Sequence, residues 1–208
     1  MKWRQLSEDL RNIKYLLSAL VILTLHLHCF GAGELSFPDS KGTVIRNEKD
    51  YIIRLIDSHN SSIKTAEAVF IVNAKPDKCF DIISDISEYY EFMPNITKSS
   101  FVSKNSDSLI YEMVFEVAFI DIEYTISVKN ESKLNFYSSL WNYVKGDLKE
   151  TKGSWSIEPY KNNSNWSIIR YEVYLDTGSF MPGWLQNKLT AGSIPDMIYA
   201  IKKRAEKK

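Results

Sequence analysis

Between residues 111 and 128 apolar and polar positions largely alternate. Tyr111, Met113, Phe115, Val117 and Phe119 alternate with Glu112, Glu116 and Ala118, and Val114 breaks the polar side. Ile122, Tyr124, Ile126 and Val128 then alternate with Glu123, Thr125 and Ser127. A period of two marks strands with one dry and one wet face, as antiparallel sheets have. Runs over 134–144, 148–159 and 165–176 predict further strands, with turns at 129–133, 145–147 and 160–164. Upstream, residues 43–46 and Tyr51–Asp57 flank Asn47-Glu48-Lys49-Asp50 and predict a hairpin, and 64–73 predicts a third strand.

The period changes to 3.6 in two places. Pro76 brings the fixed φ suited to a first helical turn, and Asp77 meets the positive end of the helix dipole. Phe80, Ile83, Ile86 and Tyr90 follow at helical spacing, with Cys79 and Ile82 beside them. Pro94 cannot continue a helix, so its end is expected near Tyr90. Residues 182–208 read as helical with two apolar stripes, Trp184, Leu185 and Leu189, then Ile194, Met197, Ile198 and Ile201. Pro195 separates them and Ser193 is the expected cap. Lys202, Lys203, Arg204, Lys207 and Lys208 gather where the dipole favours cations, and read as a solvated helix end. Strands, a helix, a long meander and a terminal helix make an α+β domain. A curved sheet cannot cover its own concave face, and the last helix is the element available to do so.

The first residues read as an address. Lys2, Arg4, Arg11 and Lys14 outnumber Glu8 and Asp9, an apolar run follows at 15–25 (YLLSALVILTL), and Gly31-Ala32-Gly33 is a small-residue exit. That order describes a secretory signal, and the run falls short of the roughly 20 residues that cross a bilayer. An uncleaved membrane anchor through residues 15–30 is the alternative. The expected organisation is 1–33 signal peptide or anchor, 34–63 leader and hairpin, and 64–208 the main domain. The expected location is exported, periplasmic or secreted.

Composition narrows the chemistry. The 208 residues carry 26 basic and 26 acidic side chains, and a net charge of zero argues against a nucleic-acid partner. There are 3 His and 2 Cys, and cleavage near Gly33 leaves only His59 and Cys79. Nucleophilic triads would have to use His59, which sits in a polar turn. Zinc sites of Cys/His type lack ligands, and no phosphate-cradling glycine loop is present. No catalytic residue, metal or cofactor is therefore assigned. Asp121 and Glu123 read as the wet face of a strand.

The stretch from Pro76 to Pro94 (PDKCFDIISDISEYYEFMP) resembles the first long helix of the START-like superfamily, most narrowly its polyketide cyclase and coenzyme Q-binding branch. Gly153-Ser154-Trp155 with Pro159, Tyr171 through Gly178 with Met181-Pro182, and the Ile194-Pro195 helix ending in Lys203-Arg204 agree with it. The resemblance covers about residues 64–206. It implies a helix-grip fold, a curved antiparallel sheet wrapped around a long C-terminal helix, with a hydrophobic tunnel for a lipid, quinone, sterol or polyketide. The two strands before residue 64 look more like the fuller START arrangement, and an export signal is unusual for the relatives that act on quinones or polyketides.

Inward strand parity and the last helix supply the expected lining: Met113, Phe115, Val117, Tyr124, Ile126, Trp141, Trp155, Tyr171, Val173, Met181, Trp184, Leu185 and Leu189. Tyr124 and Tyr171 offer hydroxyls, and Trp141 and Trp155 offer N–H donors. Arg170 is expected to point outward as a salt-bridged surface residue, and Asp85 to be an exposed helix position or local hydrogen-bond partner. The function expected is non-enzymatic binding or transport of a hydrophobic small molecule, lipid or quinone-like, with transient membrane contact and no nucleic acid. The alternatives are a cyclase or aromatase in which Tyr124, Tyr171 or Arg170 assists proton transfer, and a protein-interaction module with a vestigial cavity.

Overall fold

The long meander read from the alternation forms most of one antiparallel sheet. The computed structural model describes residues 35–57, 63–117, 119–161, 163–178, 186 and 191–207. The expected export signal or anchor and His59 lie outside these residues. Among them are nine strands: β1 (Thr43–Asn47), β2 (Tyr51–Asp57), β3 (Lys64–Val72), β4 (Ile96–Lys104), β5 (Leu109–Val117), β6 (Ile120–Lys133), β7 (Phe136–Gly146), β8 (Glu150–Tyr160) and β9 (Asn163–Asp176). Their order is β1-β2-β3-β9-β8-β7-β6-β5-β4. The chain crosses from β3 to the far edge through α1 (Pro76–Ser84) and a 3₁₀ turn (Ile86–Glu91), then returns strand by strand to β9. The last helix, α2, spans Ile194–Ala205. This is the helix-grip architecture expected.

Strand parity sorts the core. Ala66, Ala68, Phe70 and Val72 of β3, Ile157 of β8 and Ile169 of β9 are buried in one cluster with Cys79 and Ile83 of α1 and Met197, Ile198 and Ile201 of α2. Ion pairs tie the helical layer down. Lys202 pairs with Asp50 in the β1–β2 turn, and Arg204 pairs with Glu88 and with Glu91 (3.0 Å) while its guanidinium lies over the Phe92 ring. The expected solvated basic end is thus partly a clamp, because α2 ends beside acidic groups of the β1–β2 turn and the 3₁₀ turn.

Several expectations are corrected. The first helix does not run unbroken to Tyr90. It stops at Ser84, breaks at Asp85 (φ −86, ψ 75) and resumes as a 3₁₀ turn. Three residues per turn shift the phase, so Tyr89 is buried and Tyr90 is 53% exposed. Strand β4 was not foreseen, because it is an edge strand whose one buried side chain is the polar Ser99. The expected turn at 129–133 is strand: β6 runs on to Lys133, which pairs with Phe136, so the hairpin turns at Leu134-Asn135 with Asn135 at φ 59. There β6 is mostly exposed, and alternation has nothing apolar to report. Ser193 occupies the N-cap position of α2 without a capping hydrogen bond, since its own backbone is already helical.

The aperiodic leader also has a role. Residues 36–41 lie along the outer face of β2 and β9. The Arg54 guanidinium, 2% exposed, donates to Glu67 (2.7 Å), to Asp39 Oδ1 (2.7 Å) and to the carbonyls of Asp39 and Lys41, while the Phe37 ring covers it at 4.0 Å. Arg170 donates to the Ser36 carbonyl at 2.7 Å. At both sheet edges the strands are irregular: β1 shifts register between Val44 and Arg46, and β4 shifts at Ile96/Lys98 and Phe101/Ser103.

Candidate functional site

A cavity of about 160 Å³ lies between the concave face of the sheet and the helical layer. The sheet contributes Met113 and Phe115 from β5, Ile122, Tyr124 and Ile126 from β6, and Ser139 and Trp141 from β7. Thr151 and Trp155 come from β8, and Tyr171, Val173 and Leu175 from β9. The antiparallel register brings them together: Met113 lies opposite Tyr124, Trp155 opposite Tyr171, and Trp141 opposite Gly153. The other wall is Ile86 and Tyr89 of the 3₁₀ turn, Met93, Pro94 and Ile96 after it, and Ser193, Ile194 and Met197 at the start of α2.

Of the expected lining, Met113, Phe115, Tyr124, Ile126, Trp141, Trp155, Tyr171 and Val173 face this cavity. Val117 does not. It ends β5 opposite Ile120 and packs behind Ile122 and Leu148, which themselves line the cavity. Met181, Trp184, Leu185 and Leu189 lie outside the described residues. Sequence reasoning missed the wall from Ile86 to Ile96, because the 3₁₀ turn hides its inward residues from a helical period. The nearest available signal was Pro94, which forces the chain to turn just where the wall is built.

The site's electrostatics are those of a dry pocket. None of the described lining residues is charged. Burial pushes the hydroxyls of Tyr89, Tyr124 and Tyr171 well above the ordinary tyrosine range, so all three stay protonated near neutrality. Tyr89 donates to the Ile83 carbonyl at 2.6 Å and Thr151 to the Tyr174 carbonyl at 3.1 Å, which occupies their donors. Trp155 and Tyr171 rings stand 4.2 Å apart, and Trp141 stacks on Tyr171 at 5.9 Å and 22°. Cys79 is fully buried, and burial pushes its thiol up to about 11, far from a reactive thiolate.

Arg170 points outward as parity required and is half-buried under the leader, where burial lowers its pKa. Asp85 is exposed at the α1 break and accepts a hydrogen bond from Ser87. Among the described residues no group of three or more His, Cys, Asp or Glu is placed to hold a metal ion, and no helix is long and apolar enough to cross a membrane.

Residues 72–202 match the family model described as polyketide cyclase/dehydrase and lipid transport. The ribosome association toxin RatA of Rickettsia prowazekii is 24% identical over 137 residues, covering 65% of this chain and 92% of that protein. Among solved structures, the STAR-related lipid transfer protein of Xanthomonas axonopodis (fragment 25–204) superposes with a TM-score of 0.69 at 12% identity, covering 80% of this chain and 99% of that one. Human StAR-related lipid transfer protein 5 also gives 0.69, at 9% identity, covering 96% and 98%. The Zhui aromatase/cyclase of Streptomyces sp. R1128 gives 0.53 at 11% identity, covering 69% and 91%. At such identities the structural likeness establishes the fold. The wider coverage by the two lipid-transfer structures suits a chain that carries a β1–β2 hairpin ahead of β3.

Proposed function

The chain belongs to the polyketide cyclase/dehydrase and lipid-transport family, and from that premise we propose that it binds and carries an uncharged hydrophobic small molecule, lipid or quinone-like, without chemistry of its own. One observation carries this reading: a cavity of about 160 Å³ between sheet and helical layer whose described lining is apolar, aromatic or hydroxylic and bears no charge. Apolar cavities of about 150 Å³ stay dry and take up a benzene-sized guest. Each buried methylene contributes about 0.8 kcal/mol, so six give about 5 kcal/mol before association costs of several kcal/mol are subtracted. The part of a ligand that reaches beyond this lining then sets how tightly it is held.

The tyrosines support a carrier rather than a cyclase. A general base must lose its proton near the working pH, and Tyr124 and Tyr171 are pushed away from that range. Arg170 is on the opposite face of the sheet. The ribosome association named for the Rickettsia relative needs an outer surface, and a chain of zero formal charge brings no net basic field toward RNA.

The proposal places the carrier outside the cytoplasm, with residues 1–33 as signal peptide or anchor, and in transient contact with a membrane. Phe119, 97% exposed and held at φ 67, sits at the tip of the β5–β6 hairpin beyond the cavity-lining pair Phe115 and Ile122. An aromatic side chain fixed in water at a strained position suits insertion into a lipid surface. Exposed Glu116, Asp121 and Glu123 around it favour a zwitterionic surface over an anionic one. Phe119→Asp is expected to abolish co-sedimentation with phosphatidylcholine vesicles and leave Tm unchanged; sedimentation equal to the parent's rejects the membrane contact.

The decisive experiment is native mass spectrometry and organic extraction of the chain from residue 34 onward. A co-purifying lipid, or uptake of one from vesicles, is the expected result. A protein that stays empty after both treatments overturns the carrier.

A further inference from the structure

We infer that Gly153 is a specificity-determining positioning residue of the cavity: by carrying no side chain it lets the Trp141 indole lie flat across β8, and the aromatic face so formed selects an uncharged planar ring over a flexible chain. This rests on the cavity-binding reading and names the ligand class within it.

Gly153 and Trp141 are direct partners across the β7–β8 ladder. A Cβ placed on Gly153 would stand 2.2 Å from Trp141 Cζ2 and 2.5 Å from Cη2, and 2.1 Å from the Glu172 carbonyl oxygen. Unlike Gly146 and Gly178, Gly153 is not in the left-handed region, so no unusual backbone angle calls for glycine there. What it supplies is space, which the Trp141 indole and the Glu172 backbone carbonyl both occupy. Lying flat, the indole comes within 22° of parallel to Tyr171, whose ring is in turn 4.2 Å from Trp155. Three rings on three neighbouring strands thus pack into one aromatic wall, with Trp141 stacked on Tyr171 and Trp155 tilted 36° to it, and all three line the cavity.

Such a surface rewards planarity. A ring that stacks on it gains contact over its whole face and has few rotors to freeze, whereas an alkyl chain of equal size meets the plane edge-on and loses rotamer freedom. With no charged side chain in the described lining, a carboxylate or ammonium has no counter-charge in the cavity, so its burial is costly.

The test compares 4-methylphenol with 1-heptanol, both uncharged and matched in non-hydrogen atoms, titrated against the folded protein by calorimetry or tryptophan emission. Heptanol leaves water more readily, so a preference for the ring runs against simple hydrophobicity. The expected result is about five-fold tighter binding of the phenol. In Trp141→Leu the backbone is untouched and the phenol-to-heptanol ratio falls to about one. A double-mutant cycle tests the glycine: Gly153→Ala lowers Tm less when residue 141 is already Leu.

An unchanged ratio in Trp141→Leu, a heptanol preference in the parent, or strictly additive effects of the two substitutions overturns the inference. So does a Gly153→Ala chain that fails to fold equally with Trp or Leu at 141. If both probes bind the parent with equal affinity, the planar preference falls and the carrier reading stands. If neither binds and extraction also yields nothing, both fall together.

Discussion

The two faces of the same sheet solve opposite problems. On β9 the inward residues Tyr171, Val173 and Leu175 border the cavity, and the intervening Arg170 and Glu172 look the other way. The inner face carries aromatic and hydroxyl groups, leaves a void and bears no charge. The outer face buries a guanidinium completely and surrounds it with Glu67, Asp39, two carbonyls and the Phe37 ring. A buried charge is tolerable only with its partners in place, whereas an apolar void costs packing energy but leaves no polar group stranded. Charge fixes the back of the sheet, and its absence keeps the front available.

The largest effect expected from breaking this contrast is at Arg54. Arg54→Met leaves Glu67 and Asp39 without their shared cation and should clearly lower the midpoint of chemical denaturation. Protease cleavage within residues 35–42 should rise with it. Equal stability would mean that the leader contributes nothing. On the inner face the opposite sign is expected. Met197→Phe intrudes on the void, so ligand uptake should fall about ten-fold while Tm holds or rises. A marked loss of Tm would show that the cavity has no room to fill.

The smallest effect concerns Glu172. Partial desolvation of this otherwise exposed side chain and then the neighbouring Glu67 raise its pKa, so its charged form is disfavoured in the folded state. The penalty is present at neutral pH and vanishes below the ordinary glutamate range. Glu172→Gln should therefore give a small rise in Tm at pH 7 that disappears near about pH 4. Asp39 has the reverse sign: hydrogen bonds from the Lys41 backbone N–H and then Arg54 lower its pKa, so its contribution is kept at neutral pH and lost as pH falls below about 3.8. A gain in Glu172→Gln that persists in acid would remove Glu172 from the account.

The contrast also explains what could be read from the chain. Wherever a strand has one wet and one dry side, parity alone located the cavity residues, as at Met113, Tyr124, Ile126 and Tyr171. Parity carries no signal where both sides are wet, so β4 and the far end of β6 were missed. Tyr89 was hidden for another reason, because the break at Asp85 changes the rotation per residue and a helical period points to Tyr90. The outer network was invisible because residues 35–42 have no period at all. Their partners, Arg54 and Glu67, sit on strands where each reads as an ordinary surface charge.

Among the described residues the sheet ends in an edge strand on each side, and an open sheet of that kind is the repeating unit of a ribbon, each copy able to add its first strand to the last strand of the next. Val44 and Ile45 at one edge, and Phe101 and Val102 at the other, would make such a ribbon sticky. The register shifts in β1 and β4 remove that risk, because a kinked edge offers no straight row of donors and acceptors to copy. Two misaligned margins thus oppose strand addition from a neighbouring copy, which leaves the greasy interior as the place for a guest.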